Sequence, residues 1–298
     1  MMRVGVLGAG SIGGLVSAKL VDAGHELLLH SRGDHGAVLA TKGLRITGEW
    51  DYQVDGDDWI VSLDEVGLVP ELENWCDVAI ITCKSKDTFE LSKVANFVCN
   101  GPVLSLQNGL GNLEILENEI GPHRIAGGTT TNAVFRSGFG EINWAGRGEL
   151  IIGGRCAEVF VELLSELGAI FTDDLNRSIW EKVLLNVAIN PLAAICGISN
   201  GGLLESELLS QSESTMLEAA VVARTEGVKI SDDQELIDKL HSVLVATSNN
   251  KCSMLQDVKA GRETEIEMLC GEVVRRGERY GIPTPLNALL LSQINALR

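Results

Sequence analysis

A glycine motif near the N-terminus constrains the fold of this chain more than any other sequence feature. It reads GAGSIG and lies between a short β-branched run, Arg3–Leu7, and a segment of helical spacing, Ser11–Ala23. In a strand–turn–helix unit its three glycines permit a tight turn, close approach of a pyrophosphate to the backbone, and close helix–strand packing. The free amide groups of the helix N-terminus stabilise phosphate. A plain glycine turn is the alternative, but this position favours dinucleotide binding by Gly8, Ala9, Gly10, Ser11, Ile12 and Gly13.

The segments that follow alternate between strand-like and helix-like patterns. Glu26–His30, Asp77–Cys83 and Pro102–Leu106 are further strand candidates. This alternation predicts a parallel, doubly wound α/β sheet of the Rossmann type. A polar alternation between Leu44 and Leu63 predicts an inserted β-hairpin.

The pattern changes again towards the C-terminal half. Thr129–Gly153 is typical of antiparallel strands joined by glycine turns, and Ala157–Leu167 is predicted to be a helix that closes the domain. Beyond Asp174 the pattern is almost purely helical. Because 298 residues exceed the usual size of one domain, we expect a Rossmann domain over 1–174, an all-α domain over 175–298, and a cleft between them.

The end of the second strand candidate indicates which dinucleotide binds. NAD-binding proteins usually carry an acidic residue there for the ribose hydroxyls, whereas this chain has His30-Ser31-Arg32. A guanidinium can bind a 2′-phosphate in bidentate fashion. Arg32 therefore favours NADPH or NADP⁺, although it could also be an ordinary surface arginine.

Three polar residues interrupt the apolar helix that opens the second domain. Lys182, Asn186 and Asn190 are spaced i, i+4 and i+8, so they fall along one line of this helix. Burying them without polar partners would cost several kcal/mol. The stripe is either a structural hydrogen-bond network or, as we favour beside a dinucleotide domain, one wall of a site for a small polar anion.

Two later segments match the capping-box pattern. SMLQ begins at Ser253 and TEIE begins at Thr264, and each predicts a helix start. Glu265 would then lie in a first helical turn, where the macrodipole favours the ionised form.

The charge and cysteine content exclude several classes of function. Asp and Glu outnumber Lys and Arg by 41 to 24, so the field repels nucleic acid and anionic membranes. The seven cysteines contain no CxxC pair and no zinc spacing, so we expect reduced, mostly buried thiols and no metal site. The longest later apolar run, Val183–Ile198, contains asparagines and a proline and falls short of the ~20 residues of a membrane span. We therefore expect a cytoplasmic protein, as a monomer or homodimer.

Taken together, the motifs resemble the ketopantoate reductase (2-dehydropantoate 2-reductase) family over essentially the whole chain. The matching segments, in order, are GAGSIGG, Arg32, CKSKDT with Lys84, Gln107-Asn108-Gly109, WEKVLLNVAINPLAA, Asn200-Gly201, and Asn250 through SMLQD to TEIE.

The resemblance implies roles for individual residues. Lys182 is similar to the family's proton donor, with Glu265 close enough to the reacting centre to influence it. The implied substrate contacts are Asn108, Lys182, Asn186, Asn190, Asn200, Asn250 and Ser253. Beyond the glycine motif and Arg32, the implied cofactor contacts are Lys84, Asn108, Ala133 and Glu265.

The implied activity is NADPH-dependent reduction of ketopantoate to (R)-pantoate in the biosynthesis of pantothenate and coenzyme A. Hydride would transfer to the C2 carbonyl while Lys182 donates a proton. Two alternatives stay open, a reductase of another branched keto acid and a catalytically silent NADPH-binding regulator.

Overall fold

The first β-strand delivers the glycine motif to the middle of a sheet. The computed structural model describes residues 1–62 and 69–297. Strand β1 (Arg3–Leu7) has four buried residues out of five and ends immediately before Gly8, and helix α1 (Ser11–Asp22) begins three residues later. Strand β2 (Glu26–His30) runs parallel to β1, with Leu7 paired to His30. The predicted strand–turn–helix–strand unit is confirmed.

The remaining elements of this region are short. The helices are α2 (Gly33–Lys42), α3 (Thr88–Val98), α4 (Asn112–Ile120) and α5 (Ala157–Leu163). The strands are β3 (Leu44–Gly48), β4 (Tyr52–Val54), β5 (Ile60–Ser62), β6 (Val78–Ile81), β7 (Val103–Ser105), β8 (Ile125–Thr130), β9 (Ala133–Gly138), β10 (Glu141–Gly146), β11 (Leu150–Gly154) and β12 (Ala169–Thr172).

The described residues form two sheets. The larger has the order β12-β11-β8-β7-β6-β1-β2-β5, and its strands from β8 to β5 are parallel. Strand β11 is antiparallel to β8, as the glycine-rich pattern of that region predicts. The smaller sheet has the order β4-β3-β10-β9 and contains the predicted hairpin as β3 and β4. The end of that prediction, at Leu63, lies outside the described residues.

The predicted helix Ala157–Leu167 is wrong in its second half. Helix α5 ends at Leu163, and a 3₁₀ turn follows over Ser165–Leu167. Gly168 then adopts a left-handed conformation with φ of 70°. A glycine in this conformation commonly ends a helix because it carries no Cβ. The chain can thus enter β12, an edge strand that the sequence pattern does not reveal.

The C-terminal region is helical. Its helices are α6 (Leu175–Cys196), α7 (Ser206–Thr225), α8 (Asp233–Ala246), α9 (Ser253–Lys259), α10 (Cys270–Tyr280) and α11 (Pro285–Ala296). Helix α6 lies at the centre of their core, where Trp180, Val187 and Ala193 are fully buried. Apolar residues lie on almost every side of α6 because the helix packs against neighbours on several sides.

Helix α6 is also long and apolar enough to pass a length and hydropathy test for a membrane span. It has 22 residues, and 61% of the most apolar window is buried inside the protein. Since the core helix of a globular protein passes the same test, this result is weak evidence for a membrane span.

The chain divides into two compact units. One unit contains Met1–Gln107 and Asn112–Leu175, and the other contains Asn108–Gly111 and Asn176–Arg298. The sequence places the four-residue segment Asn108–Gly111 in the first domain, but it packs with the helical unit. Its Leu110 amide donates to the Met268 carbonyl at 2.9 Å, and the Leu110 side chain is buried in the helical core.

Candidate active site

Neighbouring backbone atoms leave no room for a side chain at two glycines of the motif, whereas the third is open. Gly8 has φ of 113°, and a Cβ there would lie 2.4 Å from the Cys83 amide nitrogen. A Cβ on Gly13 would lie 2.1 Å from the Gly8 carbonyl oxygen. By contrast, nothing lies within 4 Å of the Cβ position of Gly10. The first and third glycines are therefore needed for packing, while the second leaves room for a ligand.

The start of α1 is suited to an anion. Gly10 is the N-cap residue, no side chain caps the helix, and its first turn contains no acidic residue. The first amide groups of a helix lack intrahelical partners, and the macrodipole adds positive potential there. The residues present thus fit the pyrophosphate of a dinucleotide.

Arg32 lies where the sequence predicts a phosphate contact, but it already has an acidic neighbour. It is the N-cap residue of α2 and is 54% exposed. One terminal nitrogen of its guanidinium lies 2.9 Å from a carboxylate oxygen of Asp87. Lys84 is the N-cap residue of the 3₁₀ turn Ser85–Asp87, and the last residue of this turn is the Asp87 that contacts Arg32. Ala133 is the first residue of β9.

Lys182, Asn108 and Glu265 form one hydrogen-bonded group inside the helical unit. The Lys182 ammonium donates to Asn108 Oδ1 at 2.6 Å. Asn108 Nδ2 donates in turn to Glu265 Oε2 at 3.1 Å. The asparagine amide therefore connects the ammonium to the carboxylate. The structure brings together these three residues, which lie far apart in the sequence.

Burial changes the proton affinity of the lysine. Desolvation lowers the pKa of Lys182 to about 8, against the opposing attraction of the Glu265 carboxylate. An ammonium group with a pKa near neutrality can release a proton readily and still be mostly charged at pH 7. These are the properties of a general acid.

The polar stripe Lys182, Asn186 and Asn190 on α6 ends close to the start of α9. Asn190 is buried, Asn186 is partly buried, and both lie on the Lys182 side of α6. The Cys252 thiol donates to the Asn190 carbonyl at 3.6 Å. Because α9 begins at the next residue, Ser253, this bond places the start of α9 against the backbone of α6 at Asn190.

Asn200 has an unsatisfied acceptor. It is 8% exposed, its Nδ2 donates to Thr247 Oγ1 at 2.9 Å, and its backbone amide donates to the Asn250 carbonyl at 2.9 Å. Its Oδ1 is buried, and no group in the described part of the chain donates to it. A buried acceptor without a partner is costly unless a ligand or water supplies the donor.

The capping pattern predicts two helix starts, of which the one at Ser253 is confirmed, since α9 begins there, and the one at Thr264 is wrong. The thiol of Cys252, and not the Ser253 hydroxyl, caps α9 by accepting from the Leu255 amide at 3.4 Å. No regular helix begins at Thr264, because a three-residue 3₁₀ turn over Ile266–Met268 comes first and α10 starts only at Cys270. Glu265 therefore does not lie in the first turn of an α-helix, and its carboxylate accepts a hydrogen bond from Asn108 instead.

Two supporting residues, Gln107 and Cys252, make contacts that the sequence does not reveal. Gln107 Nε2 donates to the Cys83 carbonyl at 3.1 Å and to Thr88 Oγ1 at 2.8 Å, which fixes the chain just before Asn108. Cys252 bonds to α6 across 62 residues of sequence. Long-range contacts of this kind have no periodicity or motif by which they could be found.

Family models match most of this chain. Residues 4–155 match the model described as "Ketopantoate reductase PanE/ApbA", and residues 174–298 match "Ketopantoate reductase PanE/ApbA C terminal". The chain belongs to the ketopantoate reductase family. A 2-dehydropantoate 2-reductase of Archaeoglobus fulgidus is 31% identical over 305 residues, covering 100% of this chain and 98% of the relative. One from Halobacterium salinarum is 33% identical, covering 96% and 95%.

Two solved structures of other proteins share the fold of this chain. A PanE/ApbA family ketopantoate reductase from Ralstonia eutropha JMP134 has a TM-score of 0.89 at 29% identity, covering 99% of this chain and 98% of that one. A D-mandelate dehydrogenase in ternary complex with NADH and anilino(oxo)acetate has a TM-score of 0.91 at 26% identity, with the same coverage. The Rossmann-type domain followed by helices is therefore confirmed as the fold class.

Proposed function

We propose that this protein reduces 2-dehydropantoate (ketopantoate) to (R)-pantoate with NADPH, and that Lys182 donates the proton. The observation that carries the proposal is the buried ammonium, hydrogen-bonded to Asn108 and balanced by Glu265. A buried charge is costly for stability even when it is paired, so a catalytic role explains the presence of Lys182 better than packing does.

Each residue of the group has a distinct part in the reaction. The dinucleotide, when bound, supplies a hydride from its nicotinamide ring. Lys182 stabilises the negative charge that develops on the carbonyl oxygen and then transfers a proton to that oxygen. Asn108 fixes the direction of the ammonium group, and Glu265 keeps it protonated at neutral pH.

The asparagines and Ser253 account for recognition of the substrate. Asn186 and Asn190 continue the polar line from Lys182, and Ser253 begins the neighbouring helix. The unpartnered Asn200 Oδ1 calls for a hydrogen-bond donor, which a hydroxyl group of the substrate supplies. Ketopantoate carries such a hydroxyl, whereas a simple branched 2-keto acid does not. Asn250, whose carbonyl holds the Asn200 backbone, completes this set.

The coenzyme is expected to bind along the glycine motif. Arg32 and Lys84 would then lie near the 2′-phosphate, and Ala133 beside the half that carries the nicotinamide ring. Arg32 must share its guanidinium between the phosphate and Asp87. An exposed ion pair is worth only about 0.2–1 kcal/mol, so a doubly charged phosphate can compete for it. NADPH preference is therefore expected, but moderated by Asp87.

A second candidate function is reduction of a different 2-keto acid. It is favoured by the similarity to D-mandelate dehydrogenase, which was solved with NADH and an aryl oxoacid analogue. A silent regulator is less consistent with the site, because a binding protein has no use for an ammonium group with a pKa of about 8.

A substrate and coenzyme panel tests the proposal. Oxidation of NADPH and of NADH would be followed with ketopantoate, with 3,3-dimethyl-2-oxobutanoate, which lacks only the hydroxyl, and with phenylglyoxylate. We expect the highest kcat/KM for ketopantoate with NADPH. A higher value for phenylglyoxylate would establish the second candidate, and no turnover with any of the three would support the regulator.

A further inference from the structure

A buried histidine that is not part of the glycine motif, His35, forms a hydrogen bond with the backbone of the motif. His35 lies in α2 and is 6% exposed. Its Nε2 lies 2.8 Å from the carbonyl oxygen of Ala9, in the middle of the motif. Its Nδ1 accepts from the backbone amide of Gly140, in the turn between β9 and β10, at 3.1 Å.

These two bonds determine the form of the ring. A backbone amide can only donate, so Nδ1 must be unprotonated, and the proton must lie on Nε2 to bond with the Ala9 carbonyl. Burial lowers the pKa of His35, with the Ala9 bond opposing this and the charge of Arg136 adding to it. The neutral Nε2–H tautomer is consistent with all of these interactions.

The Ala9 carbonyl belongs to the same peptide plane as the Gly10 amide. The same plane is also held by the Gly10 amide, which donates to the Gly8 carbonyl at 2.8 Å, and the preceding peptide is held by the Ala9 amide, which donates to the His30 carbonyl at 3.2 Å. Gly10 is where the motif is open to a ligand. Any rotation of this peptide would change the backbone surface that a pyrophosphate meets.

We propose that His35 is a positioning residue for coenzyme binding, acting by holding the Ala9–Gly10 peptide in the orientation that accepts the pyrophosphate. This inference rests on the proposed binding of NADP(H) at the glycine motif. The histidine does not touch the coenzyme and acts through the backbone. Its bond to Gly140 ties the motif to the smaller sheet.

Two substitutions separate the two bonds. In His35→Gln the amide nitrogen occupies the place of Nε2 and can still donate to Ala9, whereas in His35→Asn the amide oxygen occupies the place of Nδ1 and can accept only from Gly140. We expect both variants to melt at a lower temperature than the wild type. The dissociation constant for NADP⁺, measured by titration calorimetry on folded protein, should rise about 2–10-fold in His35→Asn, the equivalent of one hydrogen bond. It should stay within about twofold of the wild type in His35→Gln.

The controls keep the outcomes distinct. His123→Asn changes an exposed histidine of the same unit and should leave both melting and binding unchanged. If both His35 variants bind NADP⁺ as the wild type does, the residue is only structural and the proposal is wrong. If the wild type itself does not bind NADP⁺, the proposed coenzyme is wrong, and this inference fails with it. Long-range ¹H–¹⁵N spectra of the ring at pH 7 should show the Nε2–H tautomer, and an Nδ1–H tautomer would contradict the bonding pattern.

Discussion

Replacing Glu265 by glutamine should move the pH dependence of the reaction without abolishing it. The carboxylate raises the pKa of Lys182 against a larger effect of burial, and the resulting pKa is about 8. Removing an opposite charge that lies close to an ammonium group lowers the pKa of that group by about one unit or more. With a one-unit change the protonated fraction of Lys182 would fall from about 90% to about 50% at pH 7, and from about 50% to about 10% at pH 8.

The measurement is kcat as a function of pH between 6 and 9. We expect a loss of about twofold at pH 7 and about fivefold at pH 8, with the alkaline limb displaced towards lower pH. Glu263→Gln removes the same charge from an exposed position two residues away and should leave the limb in place. A loss in Glu265→Gln that is equal at every pH would show that Glu265 acts directly and not through the protonation of Lys182.

Three further predictions concern binding. Arg32→Ala should raise KM for NADPH more than KM for NADH in steady-state kinetics. Equal increases in the two KM values would show that Arg32 does not bind the 2′-phosphate. Gly10→Val should abolish NADPH binding in a fluorescence titration while the melting temperature is nearly unchanged, because the open space above Gly10 would be filled; retained affinity would count against a phosphate loop. Asn200→Ala should raise KM for ketopantoate more than for 3,3-dimethyl-2-oxobutanoate, and an equal rise would show that the buried oxygen does not bind the hydroxyl.

The parts of the fold that follow local patterns could be predicted from the sequence. The strand–glycine–helix unit has a fixed chemical reason for each glycine, and the structure confirms it from β1 to α1. The i, i+4, i+8 stripe on α6 follows from helix geometry alone. Errors occurred where tertiary contacts override local patterns, as in the capping box at Thr264, whose hydroxyl is buried with no partner in the described part of the chain.

The site could be predicted only in part, because its geometry depends on distant segments. Lys182 is separated from Asn108 by 74 residues, and Asn108 from Glu265 by 157. Residue types and a family resemblance suggest that these three act together, but no spacing shows that one amide bridges the other two. The ion pair of Arg32 with Asp87 also has no sequence signature, although the proposed preference for NADPH depends on it.

The central claim, that Lys182 is the proton donor, is tested most directly by the turnover of Lys182→Met with saturating ketopantoate and NADPH. Methionine keeps most of the side-chain volume and removes the acidic group. We expect kcat to fall by about 10²–10⁴-fold, the usual contribution of a positioned general acid, while the affinity for NADPH and the melting temperature stay near those of the wild type. A variant that melts normally, binds NADPH and keeps kcat within a few-fold of the wild type would contradict the account.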